Sequence, residues 1–125
     1  MTFITFRLAD SIPRERLTAW DGERRRWLVA HGQTTQGDLD EVLSRLSDDE
    51  RKVYLREFGR KFHSMLDECA GCCCLRDPAC SAVVEQALRH FDGERYLLGE
   101  YVVMPNHVHV LMAPRGGLDS REIVR

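Results

Sequence analysis

One segment constrains the fold of this chain more than any other. Two extended apolar runs, residues 95–104 and 107–113, are joined by Pro105-Asn106. Tyr, Leu and Val dominate both runs, which marks them as strands. Pro presets φ for the first corner of a turn and Asn tolerates the next, so the second run folds back along the first. Side chains at i and i+2 of a strand share a face, which sets His107 and His109 side by side with their bases about 6–7 Å apart. Val108, Val110 and Met112 then point the other way, into a core beneath the sheet.

Upstream, residues 2–8 alternate Phe3, Thr5 and Arg7 against Ile4, Phe6 and Leu8, the pattern of a further strand. Asp10-Ser11-Ile12-Pro13 ends it and starts a helix over 14–30, with Leu17, Trp20, Trp27 and Leu28 on one face. A polar loop, 31–37, follows. Asp38 is placed to cap a short helix carrying Leu39, Val42, Leu43 and Leu46. Ser47-Asp48-Asp49-Glu50 has capping-box spacing and opens a longer helix striped by Tyr54 or Leu55, Phe58, Phe62, Met65 and Leu66. After a cysteine-rich loop, 68–76, Asp77-Pro78 forms an N-cap with Pro at the first helical position. That helix turns Val83, Val84, Ala87, Leu88 and Phe91 to one side and stops at Asp92-Gly93. Residues 118–125 read as the first turns of another helix. The order predicts one α+β domain over 1–125, an antiparallel sheet with helices on one face and a helical insertion after the first strand.

A length of 125 residues suits one hydrophobic core. No apolar run is long enough for a membrane span and the N-terminus lacks the pattern of a signal peptide, so a cytoplasmic protein without a membrane partner is expected. Five cysteines (Cys69, Cys72, Cys73, Cys74, Cys80) are then expected to be reduced. The net charge of −2 does not advertise a nucleic-acid binder. It is unevenly spread, however: Arg14, Arg16 and Arg24-Arg25-Arg26 cluster, and Arg115, Arg121 and Arg125 crowd the C-terminus.

Two neutral imidazoles on a rigid strand leave several coordination positions open. That suits Mg²⁺ or Mn²⁺ gripping phosphate oxygens better than a closed structural zinc. A His-x-His on a strand is also an ordinary surface or core pair in many proteins, and its neighbours decide between the two. Arg115, followed by Gly116-Gly117, offers a cation and open backbone to a phosphate, and Asn106 adjoins the pair; these are the candidate DNA-contacting residues. The competing metal reading is a four-thiolate zinc site, since Cys69 and Cys72 have CxxC spacing and Cys74 and Cys80 could complete it. Against it, Cys72-Cys73-Cys74 is crowded and Cys80 falls inside the helix opened by Asp77-Pro78. Tyr54, Tyr96 and Tyr101 are explained by packing, and His31, His63 and His90 suggest no partner.

The segment Tyr101-Val102-Val103-Met104-Pro105-Asn106-His107-Val108-His109-Val110-Leu111 resembles the signature of the REP-associated tyrosine transposases, a branch of the HUH class of single-tyrosine transposases. Residues 2–11 are similar to the family's opening strand. Leu75-Arg76-Asp77-Pro78 and residues 88–96 are similar to its middle helix and following turn. The resemblance implies a ferredoxin-like (RRM-like) sheet with the histidines on a central strand, binding a divalent metal, Mg²⁺ or Mn²⁺. It implies single-stranded or hairpin DNA as partner, and strand cleavage and rejoining through a tyrosine on a later helix, in some relatives as a homodimer. In the family that helix follows the segment resembling 118–125, so no residue of this chain is expected to be the nucleophile. The expectation is a transposition-related DNA-binding domain with an impaired cutting step. The alternatives are a non-catalytic DNA-binding remnant and a zinc-stabilised interaction domain.

Overall fold

A hairpin with one apolar face needs a further strand at its edge, and the alternating N-terminal segment supplies it. β1 (Thr2–Arg7), β2 (Tyr96–Val103) and β3 (His107–Pro114) form a three-stranded antiparallel sheet in the order β1-β3-β2. The computed structural model describes residues 1–123, the side chain of Arg121 excepted. Val124 and Arg125, part of the helix expected over 118–125, lie outside the described residues. The helices are α1 (Arg14–Ala30), α2 (Leu39–Ser44), α3 (Asp48–Asp67), α4 (Pro78–His90) and α5 (Ser120–Ile123). This is an α+β fold of ferredoxin-like type, with the histidine strand central and a helical insertion after the first strand. Among the described residues no helix is long and apolar enough to cross a membrane.

Contacts within the chain divide it into two compact units. The helical unit, Ile12–Glu68, holds α1, α2 and α3. Asp38 caps α2 by accepting from the Asp40 N–H, and Ser47 and Glu50 complete the reciprocal capping box at the start of α3. Leu28, Val42, Leu43, Leu46, Tyr54 and Phe58 form its main core, with Trp20 and Trp27 against it; Ile12, Met65 and Leu66 form a second cluster. The stripe of α3 runs through Tyr54, which is buried, and leaves Leu55 exposed. Leu39, at the first turn of α2, is exposed as well.

The sheet unit comprises Met1–Ser11 and the chain from Cys69 onward. Val108, Val110 and Met112 of β3 are fully buried against Leu88 of α4, Leu75 and Tyr96, with Ile4 and Phe6 of β1 around them. α4 faces this core with Val84, Leu88 and Phe91, spaced i, i+4, i+7. Val83, expected on the same face, is exposed because one residue turns a helix by about 100°. In β2, Leu98 pairs with Met112 and Tyr101 with Val110, so three residues span what two span on β3. This bulge at Gly99-Glu100 lets Leu98 and Tyr101, an odd number of residues apart, both face the core. It also sets Val102 opposite His109 on the outer side.

Candidate metal centre

The outer face of the sheet is organised by register. β1 and β3 pair Phe3 with Leu111, Thr5 with His109 and Arg7 with His107. The outward row Phe3, Thr5, Arg7 therefore lies beside the outward row Leu111, His109, His107.

The two imidazoles converge. His107 Nε2 lies 3.1 Å from His109 Nε2, with the ring planes 80° apart. Each ring is tied at its far nitrogen to a side-chain oxygen. His107 Nδ1 is 2.7 Å from Asn106 Oδ1, and His109 Nδ1 is 2.8 Å from Thr5 Oγ1. The Asn106 amide is oriented by its Nδ2, which donates to the Ser11 carbonyl at 3.5 Å, so its Oδ1 is the atom facing the ring. His107 then carries its proton on Nδ1 and presents the Nε2 lone pair. Thr5 is a rotor that both donates and accepts. With Thr5 donating to Nδ1, His109 places its proton on Nε2 and donates to His107. With Thr5 accepting, both Nε2 lone pairs face one point, as a shared cation requires.

The spacing fits that second state. Two neighbouring ligands of an octahedral ion at about 2.1 Å are separated by about 3.0 Å, against the 3.1 Å observed. Fixing the outer nitrogen of each ligating imidazole on an oxygen is the usual way to orient it and raise its basicity. Among the described residues no group of three or more His, Cys, Asp or Glu side chains is placed to hold a metal ion. His107 is 1% exposed and His109 half-buried, so the accessible side of the pair is that of His109. Phe3, itself 56% exposed, stacks on the His109 ring at 5.4 Å and 21°.

The sequence-derived candidates fare differently. Asn106 joins the pair, but as a fully buried residue whose side chain orients His107 and offers no surface to a nucleic acid; its carbonyl accepts from the Leu8 N–H. Arg115 is carried away: six residues along β3 from His109 is about 20 Å of extended chain, and its guanidinium donates to the Gly93 carbonyl. Two arginines of the α1 cluster share one carboxylate within their own helix. Arg24 and Arg25 both bond Asp21, at 2.6 and 2.7 Å, and the bond from Arg24 holds the Asp21 carboxyl below the usual carboxylate range. Tyr54 Oη accepts from Arg24, Tyr96 Oη donates to the Leu88 carbonyl, and Tyr101, facing the core side, accepts from Arg89 and donates to Glu85. Neither Tyr96 nor Tyr101 shares the face of the histidines. All five cysteines are free thiols, and among the described residues no three of them gather as a zinc site would require.

Thr5, Phe3 and Arg7 are the site residues that motif reading passes over. The period-two pattern of β1 places them on one face, but only the pairing of β1 with β3 brings that face to the histidines.

Replacing Asn106 with leucine is expected to leave the buried Nδ1–H of His107 without its acceptor, at a cost of about 1–3 kcal/mol in stability. The ring should then drift toward a mixture of tautomers, visible in its ¹⁵N shifts. A single unchanged tautomer in the folded variant would show that Asn106 does not set it.

Comparison of the chain with models of known families, with curated proteins and with solved structures finds no match in any of the three. The class defined by fold and site is therefore a structural one: a ferredoxin-like sheet with two convergent imidazoles on its central strand.

Proposed function

We propose that the sheet unit binds a phosphodiester of single-stranded or hairpin DNA beside a divalent cation held by His107 and His109, as a transposition-related domain. The observation that carries this reading is the approach of the two Nε2 atoms to 3.1 Å with each Nδ1 fixed on an oxygen. The donor set supports Mg²⁺ or Mn²⁺: two neutral nitrogens leave most coordination positions for phosphate oxygens and water. Such an ion withdraws charge from phosphoryl oxygens. Single-stranded DNA as the substrate class is supported by the resemblance of residues 101–111 to the REP-associated tyrosine transposases.

The chain's own part is to bind and orient. Asn106 and Thr5 fix the imidazoles, Phe3 packs on the His109 ring, and Val108 and Val110 anchor the strand below. With Tyr96 and Tyr101 facing the core, binding rather than cleavage is the activity assigned to the described residues. The test is fluorescence anisotropy of a labelled hairpin oligodeoxynucleotide in MnCl₂ and in EDTA. Mn²⁺ is expected to tighten binding by about tenfold or more, the worth of one charged contact. Equal affinity in both buffers would overturn the reading.

A further inference from the structure

The outward row of β1 has a third member. Phe3 and Thr5 both touch His109, and Arg7, the next residue on that face, stands directly opposite His107. Its hydrogen bonds are few and long. Nη1 alone makes them, to the carbonyls of Leu8 at 3.3 Å and Ala9 at 3.4 Å and to Ser11 Oγ at 3.3 Å. Among the described residues Nε and Nη2 make no hydrogen bond, and no carboxylate pairs with the guanidinium. Among the described residues the other half-buried arginines, Arg24 and Arg51, each lie against an acidic side chain, and Arg7 does not.

Arg7 is half-buried and anchored. Ser11, fully buried, receives its Nη1 on the hydroxyl and the Asn106 amide on the carbonyl, so one residue braces both Arg7 and the holder of His107. A guanidinium fixed by one nitrogen, with the Nε and Nη2 edge unspent, is preorganised for two parallel bonds to an oxyanion. Lysine could not supply that fork.

We propose that Arg7 is a phosphate-binding residue, gripping through Nε and Nη2 the same phosphodiester that the histidine site addresses. This rests on the function proposed above and adds the protein's own contact to the anion, present with or without a cation. The site would thus draw its positive charge from β1 and its cation ligands from β3.

The experiment measures a fluorescein-labelled single-stranded oligodeoxynucleotide by anisotropy across a salt series, in EDTA and in MnCl₂, for wild type, Arg7→Lys, Arg7→Gln and Arg7→Ala. Arg7→Gln keeps a polar head near Ser11 and guards against a result due to misfolding, which circular dichroism of each variant will show. Loss of the charge should weaken binding about tenfold in EDTA and lower the slope of log K against log salt by about one. Arg7→Lys should restore the slope but only part of the affinity. Unchanged affinity and slope in folded Arg7→Gln would overturn the proposal. The two failures are separable: a Mn²⁺ effect that persists without an Arg7 effect sinks only this inference, and absence of any Mn²⁺ effect in wild type sinks the parent reading.

Discussion

Mn²⁺ binding is expected to disappear in the doubly substituted His107→Ala, His109→Ala chain, and to fall well over a hundredfold in His109→Ala alone. The single substitution is the more informative arm. His109 is half-buried, and its ring is held by Thr5 and by stacking on Phe3, so its removal opens no large cavity. His107 is different, being 1% exposed with its Nδ1–H on the buried Asn106. Truncating it leaves a void and strands the Asn106 oxygen, for about 2–4 kcal/mol in stability. Loss of metal in the double variant therefore has to be read beside its unfolding curve, whereas His109→Ala should unfold close to wild type. The magnitude follows from position in the site. Removing a partner that merely orients a ligand costs about 10–100-fold in metal affinity, and removing one of two ligands costs more. Calorimetric or electron-paramagnetic titration with Mn²⁺ measures it. Equal affinity in wild type and both variants would reduce the pair to a structural contact in which His109 donates to His107.

Much of this architecture is legible in the residues themselves, for physical reasons that can be named. α1 occupies the predicted 14–30 because Pro13, with its φ fixed and no N–H to satisfy, stands at the helix entry, and Leu17, Trp20, Trp27 and Leu28 keep one apolar stripe among the arginines. The Ser47–Glu50 capping box and the Asp77-Pro78 start are local interactions, and local chemistry survives folding. The hairpin closes at Pro105-Asn106 with Met104 N–H on the His107 carbonyl. What periodicity could not supply is pairing between distant segments. Thr5 and His109 are 104 positions apart in sequence, and nothing in either strand announces the register that joins them. The bulge at Gly99-Glu100 is equally silent, yet it decides which β2 residues flank His109. Asn106 reads as a turn residue with a polar head, and only burial shows that the head is turned inward to His107. Arg115 is near in sequence to the histidines and far in space, because extended chain covers distance quickly.

Gly71 illustrates the same gap and carries the other large expected effect. In Cys69-Ala70-Gly71-Cys72 it reads as the spacer of a CxxC pair, but its place in the fold gives it a backbone role. Its φ is +88°, and a Cβ there would lie 2.4 Å from the Asp10 carbonyl oxygen and 2.6 Å from the Asp10 Cγ. The next residue donates its N–H to Asp10 Oδ2 at 2.8 Å, a bond that holds the Asp10 carboxyl below its ordinary range. A little further on, Leu75 N–H bonds the Pro105 carbonyl. The cysteine-rich loop is thus laced between the exit of β1 and the turn that carries Asn106 and His107. Gly71→Ala must adopt a conformation that strains any L side chain, for about 1–3 kcal/mol, and must also push against backbone that cannot rotate away. The expected result is a loss of about 3 kcal/mol or more, read as a lower urea midpoint. Gly116→Ala is the matched control in the same unit: φ is +65°, and nothing lies within 4 Å of the added carbon. It should lose only the conformational part, about 1 kcal/mol. If the two variants shift the midpoint equally, the close approach to Asp10 contributes nothing. If Gly71→Ala alone also weakens Mn²⁺ binding, the loop holds the turn from which the metal pair starts.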